Sequence, residues 1–297
     1  MTADLRPRAE GLASALPPLL VAAERIAATV AAGVHGRRRI GVGDAFWQYR
    51  RYLPGDSMAR IDWRPSAKSD NLYVREREWE AAESVWIWRD ASASMAYRSS
   101  TSVETKAERA SLLALALASL LTRGGERVAL LGSPLNPATG RAGLTRFAEI
   151  LEQMSAEEGP SLPPPVPLPA YGRIVLIGDF LSAPEDIAAC MARFSAGGKR
   201  GHLLQILDPA EEELPFTGRC ELIEPETSAR LMLGRAESLA DAYRARLTAH
   251  REAIGLSARA AGWTFSHHST GRPPQPALLA LYAALAGPRA MQGRGAI

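Results

Sequence analysis

Four short apolar runs, each separated from the next by a stretch of helical character, constrain the fold more than any other feature. They are ESVWIWRD, RVALLGS, RIVLIGD and HLLQILD. Each is near-continuously apolar rather than alternating, as expected of strands buried on both faces of a parallel sheet. Between and after them lie ETKAERASLLALALASLLTRGG, LTRFAEILEQM, APEDIAACMARFSAGG, SLADAYRARLTAHREAIGLSARAAG and PQPALLALYAALAG, all with helical spacing of apolar residues. The first of these ends at a glycine pair, a common helix stop. The pattern predicts an α/β, Rossmann-like, mostly parallel sheet with helices on both faces. WTFSHHS reads as a last strand, and CELIEPE with ARLMLG as an antiparallel pair. Upstream, apolar positions after Pro17-Pro18 (Leu19, Leu20, Ala23, Ile26, Ala27, Val30) predict an N-terminal helix. NLYVREREW predicts a strand that pairs with ESVWIWRD directly behind it.

The 297 residues suffice for one large domain with an extension. A net charge of +3 is too small to argue for nucleic acid, and none is expected as a partner. Cys190 and Cys220 match no metal spacing and read as free thiols of a reducing compartment. Glu24 and Arg25 interrupt the most apolar N-terminal stretch. Neither a membrane span nor a signal peptide is therefore expected, and the predicted location is cytoplasmic. SLPPPVPLP reads as a surface loop.

The chemistry concentrates where the first apolar run ends. In WIWRDASASMAY an acid and two hydroxyls alternate: Asp90, Ser92 and Ser94. In an extended chain, period-2 geometry puts them on one side of the backbone. In a parallel sheet, ligands bind beyond the carboxyl ends of the strands. RIVLIGD brings Asp179 to that edge, and HLLQILD brings Asp208. Carboxylate and hydroxyl oxygens suit a small hard cation, Mg²⁺ or Mn²⁺. The competing reading makes the serines caps of the following helix, with no metal. Other motifs fall short. AGGKRG lacks the first glycine and the hydroxyl of a Walker A loop. His267 and His268 are adjacent and would face opposite sides of a strand. No Gly-x-Ser-x-Gly elbow is present.

The Asp-x-Ser-x-Ser motif resembles the metal-ion-dependent adhesion site of von Willebrand factor type A-like domains. Upstream, YRRYLPGDSMARIDWRPSAKSDNLYVREREWE resembles the signature of the bacterial family called domain of unknown function 58. The matching residues are Arg51, Tyr52, Gly55, Asp56, Ile61, Asp62, Trp63, Ser66, Ala67, Val74, Arg75 and Glu76, and VLIGDFL resembles a later element. The resemblance spans about residues 36 to 285. It implies direct ligation of a cation by Ser92 and Ser94, with Asp90 and Asp179 acting directly or through water, and a threonine as a further ligand. Thr145 in GLTRF is the candidate, and a helix N-cap explains it equally well. An acidic residue of a partner would take the open position. The resemblance further implies a short branch without the membrane spans of longer relatives, working with a MoxR-type AAA+ ATPase in assembling proteins or cofactors.

The expected organisation is an N-terminal helical extension over 1–35, a signature segment over 36–80 whose strand packs on the core, a von Willebrand factor A-like domain over 81–285, and a tail over 286–297. Arg51, Asp56, Asp62, Arg64, Arg75 and Glu76 are expected to brace that segment against the sheet through ion pairs, or else the signature residues Arg51, Tyr52, Gly55, Asp56, Asp62, Trp63 and Arg75 form a partner surface. The expected function is a non-enzymatic protein-interaction module. Two alternatives stand beside it: a metal-dependent hydrolase or phosphotransferase with Asp90 as ligand or nucleophile, and a metal-free scaffold.

Overall fold

The structure is a computed structural model that describes residues 18–34, 46–51, 63–66, 71–77, 84–100, 102, 104–154, 159–169, 172–196 and 198–286. The chain divides into two compact units, one of residues 37–83 and one of residues 1–36 with 84–297.

In the larger unit the four apolar runs form parallel strands β3 (Ser84–Arg89), β4 (Arg127–Leu130), β5 (Arg173–Gly178) and β6 (Arg200–Leu207). β9 (Thr264–Ser269) completes a five-stranded sheet in the order β4-β3-β5-β6-β9, every pair parallel. The α/β reading of the sequence is therefore correct. The helices are α3 (Lys106–Arg123), α4 (Gly140–Gln153), α5 (Pro184–Ser195), α6 (Pro209–Glu213), α7 (Ala240–Ala260) and α8 (Pro274–Ala286), with α1 (Pro18–Val34) ahead of the sheet. α1, α3, α4 and α8 share one core with Val85, Ile87, Val175, Ile177, Leu204 and Ile206. α5 and α7 share the other with Trp86, Trp88, Ile174, Leu176 and Leu203. Successive residues of one strand thus feed opposite cores, as the pleat requires, and apolar side chains on both faces explain the unbroken runs.

α3 is the central helix, because Ala and Leu on nearly every side of it are buried. Its start is fixed by a capping box, in which the Thr105 side chain accepts from the Glu108 N–H and the Glu108 carboxylate accepts from the Thr105 N–H. α1 lies against it, with Ala23, Ile26, Ala27 and Val30 buried. The helix expected as an N-terminal extension thus contributes to the main core. Its small apolar stripe matches the alanine-rich face of α3, which permits close approach.

The smaller unit holds β1 (Phe46–Arg51), α2 (Trp63–Ser66) and β2 (Tyr73–Arg77). β2 pairs antiparallel with β1, Arg51 opposite Tyr73 and Tyr49 opposite Arg75. The expected ladder between NLYVREREW and ESVWIWRD does not form: β3 is hydrogen-bonded to β4 and β5 on its two sides, which leaves it no free edge. The Ser66 hydroxyl accepts from the Tyr73 N–H at 2.9 Å. Of the signature residues, Tyr52, Gly55, Asp56 and Asp62 lie outside the described residues, while Arg51, Trp63 and Arg75 sit on β1, α2 and β2. Of the tail expected over 286–297, residues 287–297 also lie outside them.

His202 of β6 is buried, with its Nδ1 at 2.7 Å from Thr264 Oγ1 and its Nε2 at 2.8 Å from Ser266 Oγ. Burial lowers its pKa to about 4. The unfolded chain therefore takes up this proton first, so the stability from the neutral ring is complete above pH 6.5 and is lost as pH falls toward 4. Between pH 7 and 5 the wild type should lose about 2 kcal/mol more than His202→Gln, measured by urea unfolding at each pH.

Candidate metal and docking site

β3 and β5 end side by side, and the Asp90 N–H donates to Ile177 O at 2.8 Å, so the two strand-end acids share one edge. After Asp90 the chain turns into a 3-10 helix, Ala93–Ala96. The Asp90 carboxylate closes that turn: its Oδ1 accepts from the Ser92 N–H at 2.8 Å and from Ser92 Oγ at 2.6 Å. Ser92 Oγ lies 3.2 Å from Ser94 Oγ, and Ser94 Oγ donates to Asp179 Oδ2 at 2.6 Å. The four residues singled out at the strand ends thus form one continuous chain of oxygens. Ser92 makes no side-chain cap to the short helix, so the capping alternative fails for it.

Thr145 does not join them. The helix expected to begin at 144 begins at Gly140, because Thr139 rather than Thr145 stands at its N-cap position. Thr145 is therefore inside α4, where its hydroxyl donates to Arg141 O at 3.1 Å. This bond to the carbonyl four residues back is ordinary for a helical threonine. Asp208 also belongs elsewhere: it caps α6 and accepts from the Ser99 N–H, Ser102 Oγ and the Ala210 N–H. Burial would raise its pKa, but the bonds from Ser102, Ser99 and Ala210 outweigh this and lower it.

Asp90 is fully buried, and its Oδ2 has no hydrogen-bond partner among the described residues. This oxygen lies against Gly178, where an added Cβ would come within 2.8 Å of it, so only glycine permits the approach. Burial, and then the charge of Asp179, raise the Asp90 pKa to about 7. The preceding Arg89 is buried as well, but its guanidinium donates to backbone carbonyls, those of Asp90 at 3.2 Å and Met154 at 2.9 Å. The cation thus sits at the carboxyl end of α4, where the helix dipole favours it.

A second cation lies at this edge. Lys106, the first residue of α3, is fully buried, and its Nζ donates to Asp179 Oδ2 at 2.9 Å and to Glu211 Oε1 at 2.6 Å. Burial opposes its charge, but Asp179 and Glu211 outweigh that and hold its pKa above the ordinary value. A sequence signal did exist. A lysine in the first turn of a helix opposes the macrodipole, and its presence there implies a tertiary partner. A third feature left no such signal. Glu226, at the tip of the hairpin of β7 (Cys220–Ile223) and β8 (Arg230–Leu233), accepts from the Ser94 N–H at 3.1 Å across 132 positions of sequence.

The turn after Asp179 is held from two elements. Phe180 has φ +46°, a left-handed conformation costly for a residue with a Cβ. His250 Nε2 lies 2.7 Å from Phe180 O, and Gln205 Nε2 donates to Asp179 O at 2.9 Å. Arg251 donates in turn to Gln205 Oε1 and to Glu212, each at 2.7 Å. α7 and β6 together thus fix the backbone that presents the Asp179 carboxylate.

The family profile described as "Protein of unknown function DUF58" matches residues 48–253, which include the signature residues Arg51 to Glu76 and every strand-end residue above. The chain belongs to the DUF58 family. Relatives of this DUF58 protein include uncharacterized proteins of Mycobacterium bovis and Mycobacterium tuberculosis. They are 26% identical over 241 residues, covering 75% of this chain and 73% of each relative. Among solved structures, an aerotolerance-related membrane protein from Bacteroides fragilis is similar at TM-score 0.42 and 15% identity, covering 69% of this chain and 99% of that one. BatB from Bacteroides thetaiotaomicron is similar at TM-score 0.39 and 13% identity, with the same coverage. No helix among the described residues of the DUF58 chain is long and apolar enough to cross a membrane.

The donor set fits a hard cation in part. It offers two carboxylates and two hydroxyls, all oxygen, with one buried carboxylate oxygen unpaired. Among the described residues no three His, Cys, Asp or Glu side chains gather as a metal cluster, so a cation here would depend on the hydroxyls as much as on the acids.

Proposed function

We propose that this DUF58 protein is a non-enzymatic docking module, in which Asp90, Ser92, Ser94 and Asp179 hold Mg²⁺ or Mn²⁺ and leave one position for an acidic side chain of a partner. The observation that carries this reading is the unpaired Oδ2 of buried Asp90, beside hydroxyls already joined to Asp179. A buried polar atom without a partner is costly, and a cation would satisfy it. The Asp-x-Ser-x-Ser motif resembles that of von Willebrand factor A-type adhesion sites. The proposed partner, by family resemblance, is a MoxR-type AAA+ ATPase engaged in protein or cofactor assembly. The non-enzymatic reading is supported by three of the described histidines. Both ring nitrogens of His202 face hydroxyls, while His250 Nε2 and His268 Nε2 face Phe180 O and Arg109.

One observation favours the metal-free scaffold instead: Lys106 already supplies a cation to Asp179. Calorimetric titration with Mn²⁺ separates the two. The wild type should bind one Mn²⁺, and Asp90→Ala should bind it about a hundredfold more weakly or worse. Capture of the ATPase should require Mg²⁺ and be lost in chelator. If the wild type takes up no Mn²⁺, or Asp90→Ala binds it equally well, the site is a scaffold balanced by Lys106.

A further inference from the structure

The hairpin of β7 and β8 stands apart from the parallel sheet as its own two-stranded ribbon. It is exposed along most of its length: Ile223 is 53% exposed, Leu231 58% and Met232 51%. Only Leu233, at its base, is buried. The base is tied, since the Ala236 N–H donates to Gly218 O at 2.9 Å and the Gly218 N–H to Glu237 at 2.7 Å. The tip is ordered by its own bonds. The Glu224 N–H donates to Ala229 O and the Ser228 N–H to Glu224 O, each at 2.8 Å, and Ser228 takes φ +58°. An arm with a fixed base, a shaped tip and few buried side chains between them is held by little and opens at low free energy.

What this arm carries to the strand-end site is a carboxylate. Glu226 is exposed, and its Oε1 accepts from the N–H of Ser94, the last residue of the Asp-x-Ser-x-Ser motif. Ser94 Oγ is engaged with Asp179 and Ser92, so its amide is the group through which the motif meets an incoming acid. A carboxylate held on this N–H lies against the motif whose Ser94 hydroxyl is a candidate ligand, in the region that a partner's acidic side chain would have to enter. We infer that Glu226 is this chain's own occupant of the docking position, a tethered carboxylate that an acidic partner displaces as the hairpin lifts. This rests on the docking reading of the site. It adds that the free protein is closed in cis, and that the apolar residues of the arm come within reach of the partner once the tip is released.

The test follows the Ser94 amide resonance in ¹⁵N-labelled protein during titration with acetate, in Mg²⁺ and in chelator. In Glu226→Ala, acetate should shift that resonance saturably, with affinity at least about tenfold above that of the wild type, whose own carboxylate competes. The Ala236 amide at the arm's base should not move, which reports that the hairpin is still folded. An equal response in both proteins, or none in either, overturns the inference. A response of Glu226→Ala that is the same in chelator as in Mg²⁺ leaves Glu226 as the occupant and removes the cation from the docking site.

Discussion

Replacing Lys106 by methionine should destabilise the protein by about 3–5 kcal/mol at neutral pH in chelator, read from urea unfolding. Methionine nearly matches the lysine stem in length and leaves the core of α3 filled, so the loss reports the charge. Nζ donates to Asp179 and Glu211 with the lysine fully buried and the two acids 3% and 19% exposed. Without the ammonium, Asp179 becomes a buried carboxylate beside Asp90, which already resists ionisation. Breaking a buried pair costs more than the pair is worth, because the remaining charge is stranded. Lys106→Met combined with Asp179→Asn should therefore be more stable than Lys106→Met alone. Millimolar Mg²⁺ or Mn²⁺ should return part of the loss in the single variant, since the same oxygens then accept a different cation. A change below about 1 kcal/mol would mean that Lys106 is not the counter-charge of the site.

Trp263→Ala should cost about 3–5 kcal/mol by the same measurement. Its ring is 2% exposed, and it shares a core with Leu203, Ile254, Ala258 and Phe194. The residue opposite is Gly201 at the start of β6, where an added Cβ would lie 2.3 Å from the ring. The indole thus occupies the space a side chain would take, and removing it opens a cavity that the sheet, hydrogen-bonded on both sides of β6, cannot close. The reciprocal change, Gly201→Ala, should also destabilise, by roughly 1–3 kcal/mol or more, because a methyl group has no room beneath the ring. In a double-mutant cycle the two losses should not add: with the ring gone, the methyl group fills space instead of clashing. Additive losses would mean that the ring and Gly201 are not packed against each other.

The strand-end acids were legible because they obey two local rules at once: an apolar run that stops, and a polar residue at its stop. Those rules and parallel topology bring Asp90, Ser92, Ser94, Asp179 and Asp208 to one edge alike, and only the resemblance to an adhesion-site motif separates Asp208 from the other four. Thr145 could not be rejected the same way. Whether a threonine caps a helix or lies within it depends on where the helix begins, and α4 begins four residues before the apolar pattern does. The pairing of β2 departs from the sequence expectation for a related reason. Adjacency in sequence favoured β3, but β3 is central to the sheet and already has a neighbour on each side.

The sequence by itself determined the α/β architecture, the chain order of the larger unit's strands and long helices, and the Asp-Ser-Ser edge, because apolar period, helix stops and strand ends are written in contiguous residues. Tertiary structure alone decided what faces that edge. Lys106 is bonded to Asp179 and Glu211 across 73 and 105 positions, and Glu226 reaches Ser94 across 132. No local pattern encodes such meetings. They follow from the placing of helix and hairpin ends over one edge of the sheet: α3 is placed by the core it shares with β3, β5 and β6, and the hairpin by the bonds that tie its base at Gly218.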